Sequence, residues 1–232
     1  MKSVQHTFII YLLIIGSIIG LGLLIISFGT LVEKKQESFP IIIDTLNVPF
    51  EIKSSFRMEF VSTRILYFGN YHDSIFLDHS LYFQAPKKED NLFFTKKELD
   101  NRTFIKYYSA KFRIQFDSTQ VSRKIGGKNA YQAIPIMITN LEKDTVLLGQ
   151  RLNVILLQEA INKNGEWKAI ERKSNGGQCR ISGDNYVLPP NGIILTSSYR
   201  YSGNFKTKIR FKLGNNYSEV FEGEINLSQF GK

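Results

Sequence analysis

The sequence FKTKIRFKLGNNYSEVFEGEINL, residues 205–227, decides the fold class. Apolar and polar side chains alternate through its first nine residues, which is the pattern of a β-strand with one buried face. The apolar face holds Phe205, Thr207, Ile209, Phe211 and Leu213. The stretch Gly214-Asn215-Asn216 interrupts the alternation, so the sequence predicts two antiparallel strands joined by a turn.

The loop length predicts the register of this hairpin. A three-residue loop places Leu213 opposite Tyr217. The same register gives three further cross-strand pairs, Ile209–Phe221, Lys208–Glu222 and Lys206–Glu224. Arg210 and Lys212 have no acidic partner in it.

The polar face of the hairpin is a candidate interaction surface. Its cations lie about 6.6 Å apart along the strand, and they are Lys206, Lys208, Arg210 and Lys212, with Arg200 expected to join them from a neighbouring strand. Such a stripe attracts anionic lipid, phosphate or an acidic partner. An ordinary solvated sheet face is the alternative, and nucleic acid is not an expected partner.

Period-two alternation continues outward from this hairpin through most of residues 36–232. Candidate strands are 41–48, 58–68, 75–83, 104–116, 120–123, 134–140, 151–159, 166–172 and 193–201. Asn164-Gly165 predicts a two-residue type I′ hairpin turn, whereas residues 86–102, 124–129 and 178–185 are expected to be loops. About ten strands without a convincing long amphipathic helix predict an all-β fold, an immunoglobulin-like β-sandwich.

Residues 8–28, FIIYLLIIGSIIGLGLLIISF, contain no charged side chain. As a helix they span about 31 Å, the thickness of a hydrocarbon core. The segment predicts a single N-terminal transmembrane helix that acts as a signal anchor; a cleaved signal peptide is left open, although no clean A-x-A site follows. Gly16 and Gly20 form a GxxxG pair that is a candidate for packing against another membrane helix.

The chain therefore divides into residues 1–35, an anchor with a polar stem, and residues 36–232, an extracytoplasmic domain. The charges flanking the anchor do not decide its orientation. Sandwich domains are common on cell surfaces, which favours the periplasmic side of the inner membrane.

Composition excludes several kinds of chemistry. The 232 residues hold one cysteine and three histidines, which exclude a disulfide framework and a Cys-rich zinc site. Strand alternation points Asp78 and His79 to opposite faces, so with His72 they form no metal site. Cys179 is interpreted as a lone loop thiol, and no phosphate-binding or hydrolase motif is present. We expect no enzyme, no cofactor and no metal.

Two stretches resemble uncharacterised bacterial envelope proteins that have an immunoglobulin-like sandwich. They are NGEWKAIE (164–171), taken with Leu188-Pro189-Pro190, and KTKIRFKLGNNYSEVFEGEIN (206–226). The resemblance covers about residues 130–230 and implies a fold and an envelope location, but no functional residue. Whether the N-terminal half completes the same sandwich or forms a second one, with a boundary near 118–132, is left open.

Two functional hypotheses follow from the sequence. The first is a non-catalytic, membrane-anchored interaction module or accessory subunit of an envelope complex, because surface loops and strand edges are suited to binding another protein. The alternative is a small-ligand or glycan-binding domain that uses the aromatic side chains Tyr71, Tyr107, Tyr108 and Trp167.

Overall fold

Alternating and β-branched sequence produces strands in nearly every described part of the chain. The computed structural model describes residues 38–61, 63–77, 93–94, 105–126, 128–149, 153–173 and 185–231. Its strands are β1 (Ile41–Asp44), β2 (Lys53–Ser54), β3 (Glu59–Val61), β4 (Thr63–Gly69), β5 (Ser74–Leu77), β6 (Phe93–Phe94), β7 (Ile105–Lys106), β8 (Phe112–Phe116), β9 (Ser122–Gly126), β10 (Asn129–Asn140), β11 (Val146–Gly149), β12 (Asn153–Val154), β13 (Leu156–Ile161), β14 (Trp167–Ala169), β15 (Glu171–Lys173), β16 (Asn185–Leu188), β17 (Ile193–Tyr199), β18 (Tyr201–Ser202), β19 (Phe205–Leu213), β20 (Asn216–Tyr217) and β21 (Phe221–Ile225). A short 3-10 helix, Leu227–Phe230, follows β21. The prediction of an all-β fold is confirmed for these residues.

Several sequence predictions fall outside the described residues. They concern the segment 8–28 with Gly16 and Gly20, the side chains of Asp78, His79 and Cys179, and most of the loops 86–102 and 178–185. Within the described ranges, no helix is long and apolar enough to cross a membrane. Residues Phe39–Lys232 form one compact unit.

Two larger sheets organise this unit. One has the strand order β12–β4–β17–β10–β8, with β9 also paired to β10. The other has the order β14–β13–β19–β20, with β21 also paired to β19. A four-stranded sheet and three strand pairs, including β1–β5, complete the described fold.

The first of these sheets is buried on both faces. On one face, Ile65, Ile136 and Ile194 pack in a cluster with Leu156 and Phe211 of the second sheet. On the other face, a separate cluster joins its side chains to those of β1 and β5 and comprises Leu66, Ile75, Leu77, Met137, Ile193 and Leu195, with Phe39 and Ile42 beside them. Burial on both faces explains why β17 has no exposed residue along its length, and the two facing sheets are consistent with a β-sandwich.

The predicted register of the C-terminal hairpin is confirmed for three of its four pairs. Ile209 faces Phe221, and the pairs Lys208–Glu222 and Lys206–Glu224 form as expected. The turn prediction is wrong, because Leu213 pairs with Asn216. Gly214 adopts a positive φ of 58° in a tighter turn. The register then shifts by one residue across 218–220. There the Ser218 amide donates to the Phe211 carbonyl, and the Ser218 hydroxyl accepts from the Phe211 amide.

The turn between β13 and β14 also differs from its prediction. A type I′ turn requires a positive φ at both central residues, but Gly165 alone has one here, at 78°. The amide of Asn162 bonds the carbonyl of Glu166 and the Gly165 amide bonds that of Asn162. This is a three-residue loop in which the glycine takes the left-handed position.

Side-chain hydrogen bonds fasten β1 to the segment around β9. The Asp44 carboxylate accepts from the Arg123 amide at 2.6 Å and from the Leu46 amide at 3.0 Å. Gln120 accepts from the Ile42 amide at 2.7 Å and donates to the carbonyl of Pro40. These bonds hold the start of the described chain against the rest of the unit.

Candidate functional site

The outer face of the β14–β13–β19 sheet carries a stack of two aromatic rings and a guanidinium. The Arg210 guanidinium carbon lies 4.2 Å from the centre of the Trp167 ring and 4.0 Å from that of Tyr217. Strand order produces the stack: in the sheet β14–β13–β19–β20, Trp167 lies on β14, Arg210 on β19 and Tyr217 on β20. We call Trp167, Arg210 and Tyr217 the Trp–Arg–Tyr stack; Tyr217 is 45% exposed, and Trp167 is half-buried.

Glu159 fixes the position of this guanidinium. Its Oε2 accepts from Arg210 Nε at 2.9 Å and from Nη2 at 2.7 Å. Its Oε1 accepts from Lys212 Nζ at 2.9 Å. Within the hairpin Arg210 and Lys212 face no acidic residue, as predicted. Their acidic partner comes from the other side of β19, where β13 places Glu159 directly opposite Arg210.

The same contacts set the ionisation of Glu159. Desolvation raises the pKa of its carboxyl group, but the hydrogen bonds from Lys212 and Arg210 outweigh that effect and leave the pKa lowered. The hydrogen bond to Glu159 in turn raises the pKa of Lys212. Both groups are thus held in their charged forms at neutral pH.

The remaining cations of the hairpin face glutamates. Lys206 Nζ lies 3.8 Å from Glu224 Oε1, with 87% of the lysine side chain exposed, and Lys208 pairs with Glu222 in register. An open depression of about 320 Å³ is lined by Lys206, Thr207, Lys208, Glu222, Gly223 and Glu224. We call Lys206, Lys208, Arg210, Lys212, Glu159, Glu222 and Glu224 the charged face; it carries alternating charges rather than an unpaired basic stripe.

Arg200 takes a different place from the one expected. It lies between β17 and β18, and its guanidinium donates to the carbonyl of Ser118, in the segment between β8 and β9. Its backbone bonds Gln132 and Lys53. Arg200 therefore lies at the end of β17, where its contacts are with the segments around it, and it is not part of the charged face.

A second group of polar side chains is buried between the strands. Gln158 is 1% exposed and Glu171 is 1% exposed. The Glu171 carboxylate accepts hydrogen bonds from the backbone amide of Gln158 at 2.8 Å and from the Tyr201 hydroxyl at 2.8 Å. Lys124 is 8% exposed, and its Nζ donates to the carbonyl of Ser197 at 3.0 Å. We call Lys124, Gln158, Glu171 and Tyr201 the buried polar cluster.

Burial shifts the ionisation of this cluster. Desolvation lowers the pKa of Lys124 to about 8, although the negative charge of Glu171 opposes the shift. Desolvation raises the pKa of Glu171 against the opposing effects of Lys124 and Tyr201. It also raises the pKa of Tyr199 to about 12.

The sequence interpretation missed this cluster. Residues 124–129 were expected to form an exposed loop, yet β9 extends to Gly126 and Lys124 points inward with Ser122. The usual apolar-inward alternation is reversed here: Val121 is 40% exposed and Ile125 is 47% exposed, whereas Ser122 and Lys124 face inward. A lysine at an inward position is rare, so the sequence carries no signal that would bury Lys124.

Lys53 lies beside the buried polar cluster, where its ammonium group contacts two tyrosine rings. Its ammonium nitrogen lies 4.3 Å from the centre of the Tyr131 ring and 4.8 Å from that of Tyr199. Glu59 Oε2 lies 3.8 Å from the same nitrogen. Lys124 Nζ approaches Tyr199 as well, at 4.7 Å.

The aromatics considered for a glycan site do not form one group, although the rings of Tyr107 and Tyr108 lie 5.8 Å apart. Tyr71 packs against the cluster beneath β1 and β5, and Tyr107 packs against the core between the two larger sheets. Tyr108 is 54% exposed. Trp167 belongs to the Trp–Arg–Tyr stack, so these four side chains do not line one surface. Across the described ranges, no group of three metal-ligating side chains is close enough to hold a metal ion.

Comparison with protein-family models, curated proteins and solved structures finds no match to this chain.

Proposed function

We propose that this chain is a non-catalytic interaction module, an accessory subunit that binds another envelope protein through the Trp–Arg–Tyr stack and the charged face around it. In this proposal residues 8–28 anchor the chain in the membrane as a single helix. The domain is an immunoglobulin-like sandwich on the periplasmic side of the inner membrane. The partner presents aromatic side chains and a complementary pattern of alternating charges.

The observation that carries the proposal is the Trp–Arg–Tyr stack. Tryptophan, tyrosine and arginine are the residues that contribute most binding energy at protein interfaces. Arg210 is held between two rings and by two hydrogen bonds to Glu159. A side chain that is already ordered loses little conformational entropy when a partner binds, so this surface is preorganised for recognition.

The composition of the charged face supports a protein partner over a polyanion. Every cation of its strand has a glutamate as an ion-pair or cross-strand partner. Alternating charges fix the orientation of a complementary surface and disfavour other partners. A polyanion, in contrast, requires an excess of positive charge.

The experiment is a tagged pull-down of the full chain from gently solubilised native membranes, with mass spectrometry and stoichiometry. We expect a partner near one-to-one with the unmodified chain, and its loss with Trp167→Ala. Tyr108→Ala is the matched control, because Tyr108 is an exposed aromatic outside the stack. Recovery of the chain alone, or equal loss with both variants, would contradict the proposal.

A further inference from the structure

Two tyrosine rings and a carboxylate surround the ammonium group of Lys53. The rings of Tyr131 and Tyr199 are perpendicular, at 90°, with their centres 5.5 Å apart. The Lys53 nitrogen contacts both, at 4.3 Å and 4.8 Å. Glu59 closes a third side at 3.8 Å. Aromatic faces beside a carboxylate are the arrangement by which proteins recognise alkylammonium groups.

We propose that Tyr131, Tyr199 and Glu59 form a binding site for a small alkylammonium ion, which the side chain of Lys53 occupies in this structure. Only 14% of the Lys53 side chain is exposed, so the site removes most of the occupant from water. The attraction between a cation and an aromatic ring is stronger when the cation is desolvated.

The rings are fitted closely to the strands behind them. A Cβ at Gly126 would lie 2.6 Å from the Tyr199 hydroxyl and 3.0 Å from the Tyr131 ring. The absence of a side chain at this position lets both rings pack against β9. The Tyr201 ring lies 6.1 Å from that of Tyr199 and extends the aromatic wall. The two rings of the site are therefore held in place independently of Lys53.

The segment that carries Lys53 is held by hydrogen bonds on either side of it. Glu51 donates to the Ala130 carbonyl and accepts from the Gln132 amide, and the Asn226 side chain donates to the Ser55 carbonyl. Between these points β2 comprises two residues, and the Lys53 amide bonds the Arg200 carbonyl at 3.3 Å. On this segment Phe50 is 41% exposed, Ile52 is 50% exposed and Phe56 is 75% exposed. Segments with little buried apolar surface open at low free energy, so an external ammonium ion competes with Lys53 for the site.

Removing the internal occupant provides the test. In Lys53→Ala the rings remain and Glu59 loses its cation, so we expect saturable binding of an added alkylammonium ion, at least about tenfold tighter than to the unmodified chain. The full chain is kept in a maltoside detergent, and binding is followed by calorimetry and by the unfolding midpoint. Tetramethylammonium and n-butylammonium are the probes; the tighter one distinguishes a quaternary ligand from a lysine-like one.

Three controls separate this site from general effects of a cation. Lys168→Ala removes an exposed lysine elsewhere and should bind the probe no more tightly than the unmodified chain does. Lys53→Ala combined with Tyr199→Leu should lose binding. Choline should bind about tenfold more tightly than 3,3-dimethylbutan-1-ol, its uncharged analogue, because the latter lacks the cation.

If Lys53→Ala does not fold, Lys53→Thr carries the same test, since a β-branched residue suits this strand. The midpoint of either variant should rise with probe concentration. Folded variants that show no saturable binding, or that bind both alcohols equally, would overturn the proposal. This result is independent of the pull-down, because Trp167 and Arg210 take no part in the site.

Discussion

Glu159 shows how one residue can organise a surface. Its two oxygens bind Arg210 and Lys212, and only 9% of its side chain is exposed. Exposed ion pairs contribute little to stability, but here two N–H groups of Arg210 donate to one oxygen of a nearly buried carboxylate, and such charge-assisted hydrogen bonds fix geometry as well as charge. The position of the guanidinium between Trp167 and Tyr217 therefore depends on a residue of the neighbouring strand.

Lys124 gives a prediction at the same scale. Lys124→Met should not lower the free energy of unfolding at pH 7 and should raise it by up to about 2 kcal/mol, because burial lowers the pKa of Lys124 to about 8 even with the opposing charge of Glu171, so the buried ammonium group is a net cost to folding. Glu171→Gln alone removes that opposing charge and should lower the free energy of unfolding, and Lys124→Met should reduce this loss in the double variant. Urea denaturation at pH 7 measures all three variants against the unmodified chain.

The difference in free energy of unfolding between the unmodified chain and Lys124→Met should depend on pH. The pKa of Lys124 is about 8 in the folded chain and about 10.4 when unfolded, so between these values the unfolded state binds more protons. Stability from this group therefore rises with pH. The free energy of unfolding of the unmodified chain should rise by about 1–2 kcal/mol relative to that of Lys124→Met from pH 7 to 9.5; parallel pH curves would contradict the burial of Lys124.

At the scale of the element, the loop between β13 and β14 depends on Gly165. Its φ is 78°, and a Cβ there would meet no atom within 4 Å, so a substitution tests backbone strain alone. Gly165→Ala should cost about 1 kcal/mol. Gly165→Asn should cost less, because asparagine tolerates the left-handed region. Urea denaturation compares the two, and an alanine variant as stable as the unmodified chain would contradict this loop geometry.

The sequence predicts local strand pairing well and turn geometry less well. Alternation along β19 and β21 correctly pairs Lys208 with Glu222, because a one-residue slip would expose the apolar face. It does not predict the pairing of Leu213 with Asn216, since the irregular residues after β20 absorb the difference. Alternation also carries no information about which strand lies on the far side of β19, so the partnership of Glu159 with Arg210 could not be predicted.

The whole unit is layered, and its layers should differ in local stability. The strands β10 and β17 are covered on both sides, by the second large sheet and by β1 and β5. The β1–β5 pair has one face outside, where Ile41 is 65% exposed and Phe76 is 62% exposed. Amides of β10 and β17 should exchange with solvent most slowly, and those of β1 and β5 much faster, because local opening follows buried contacts.

Asp44 allows the outer layer to be loosened by itself. Its buried carboxylate bonds the amides of Arg123 and Leu46 and lies 3.9 Å from the Arg123 guanidinium. Asp44→Ala therefore removes part of the side-chain fastening of β1, with the Gln120 bonds still in place, and leaves the core between the larger sheets unchanged. Hydrogen exchange of β1 and β5 should accelerate by about tenfold or more, which corresponds to about 1.4 kcal/mol, with little change in β10 and β17. Glu142→Ala is the control, since Glu142 bonds the amide of Lys111 away from this layer. Equal acceleration throughout the described sheets would mean that β1 and β5 open only with the whole unit, and that the fold is a single cooperative block rather than a core with a separable outer layer.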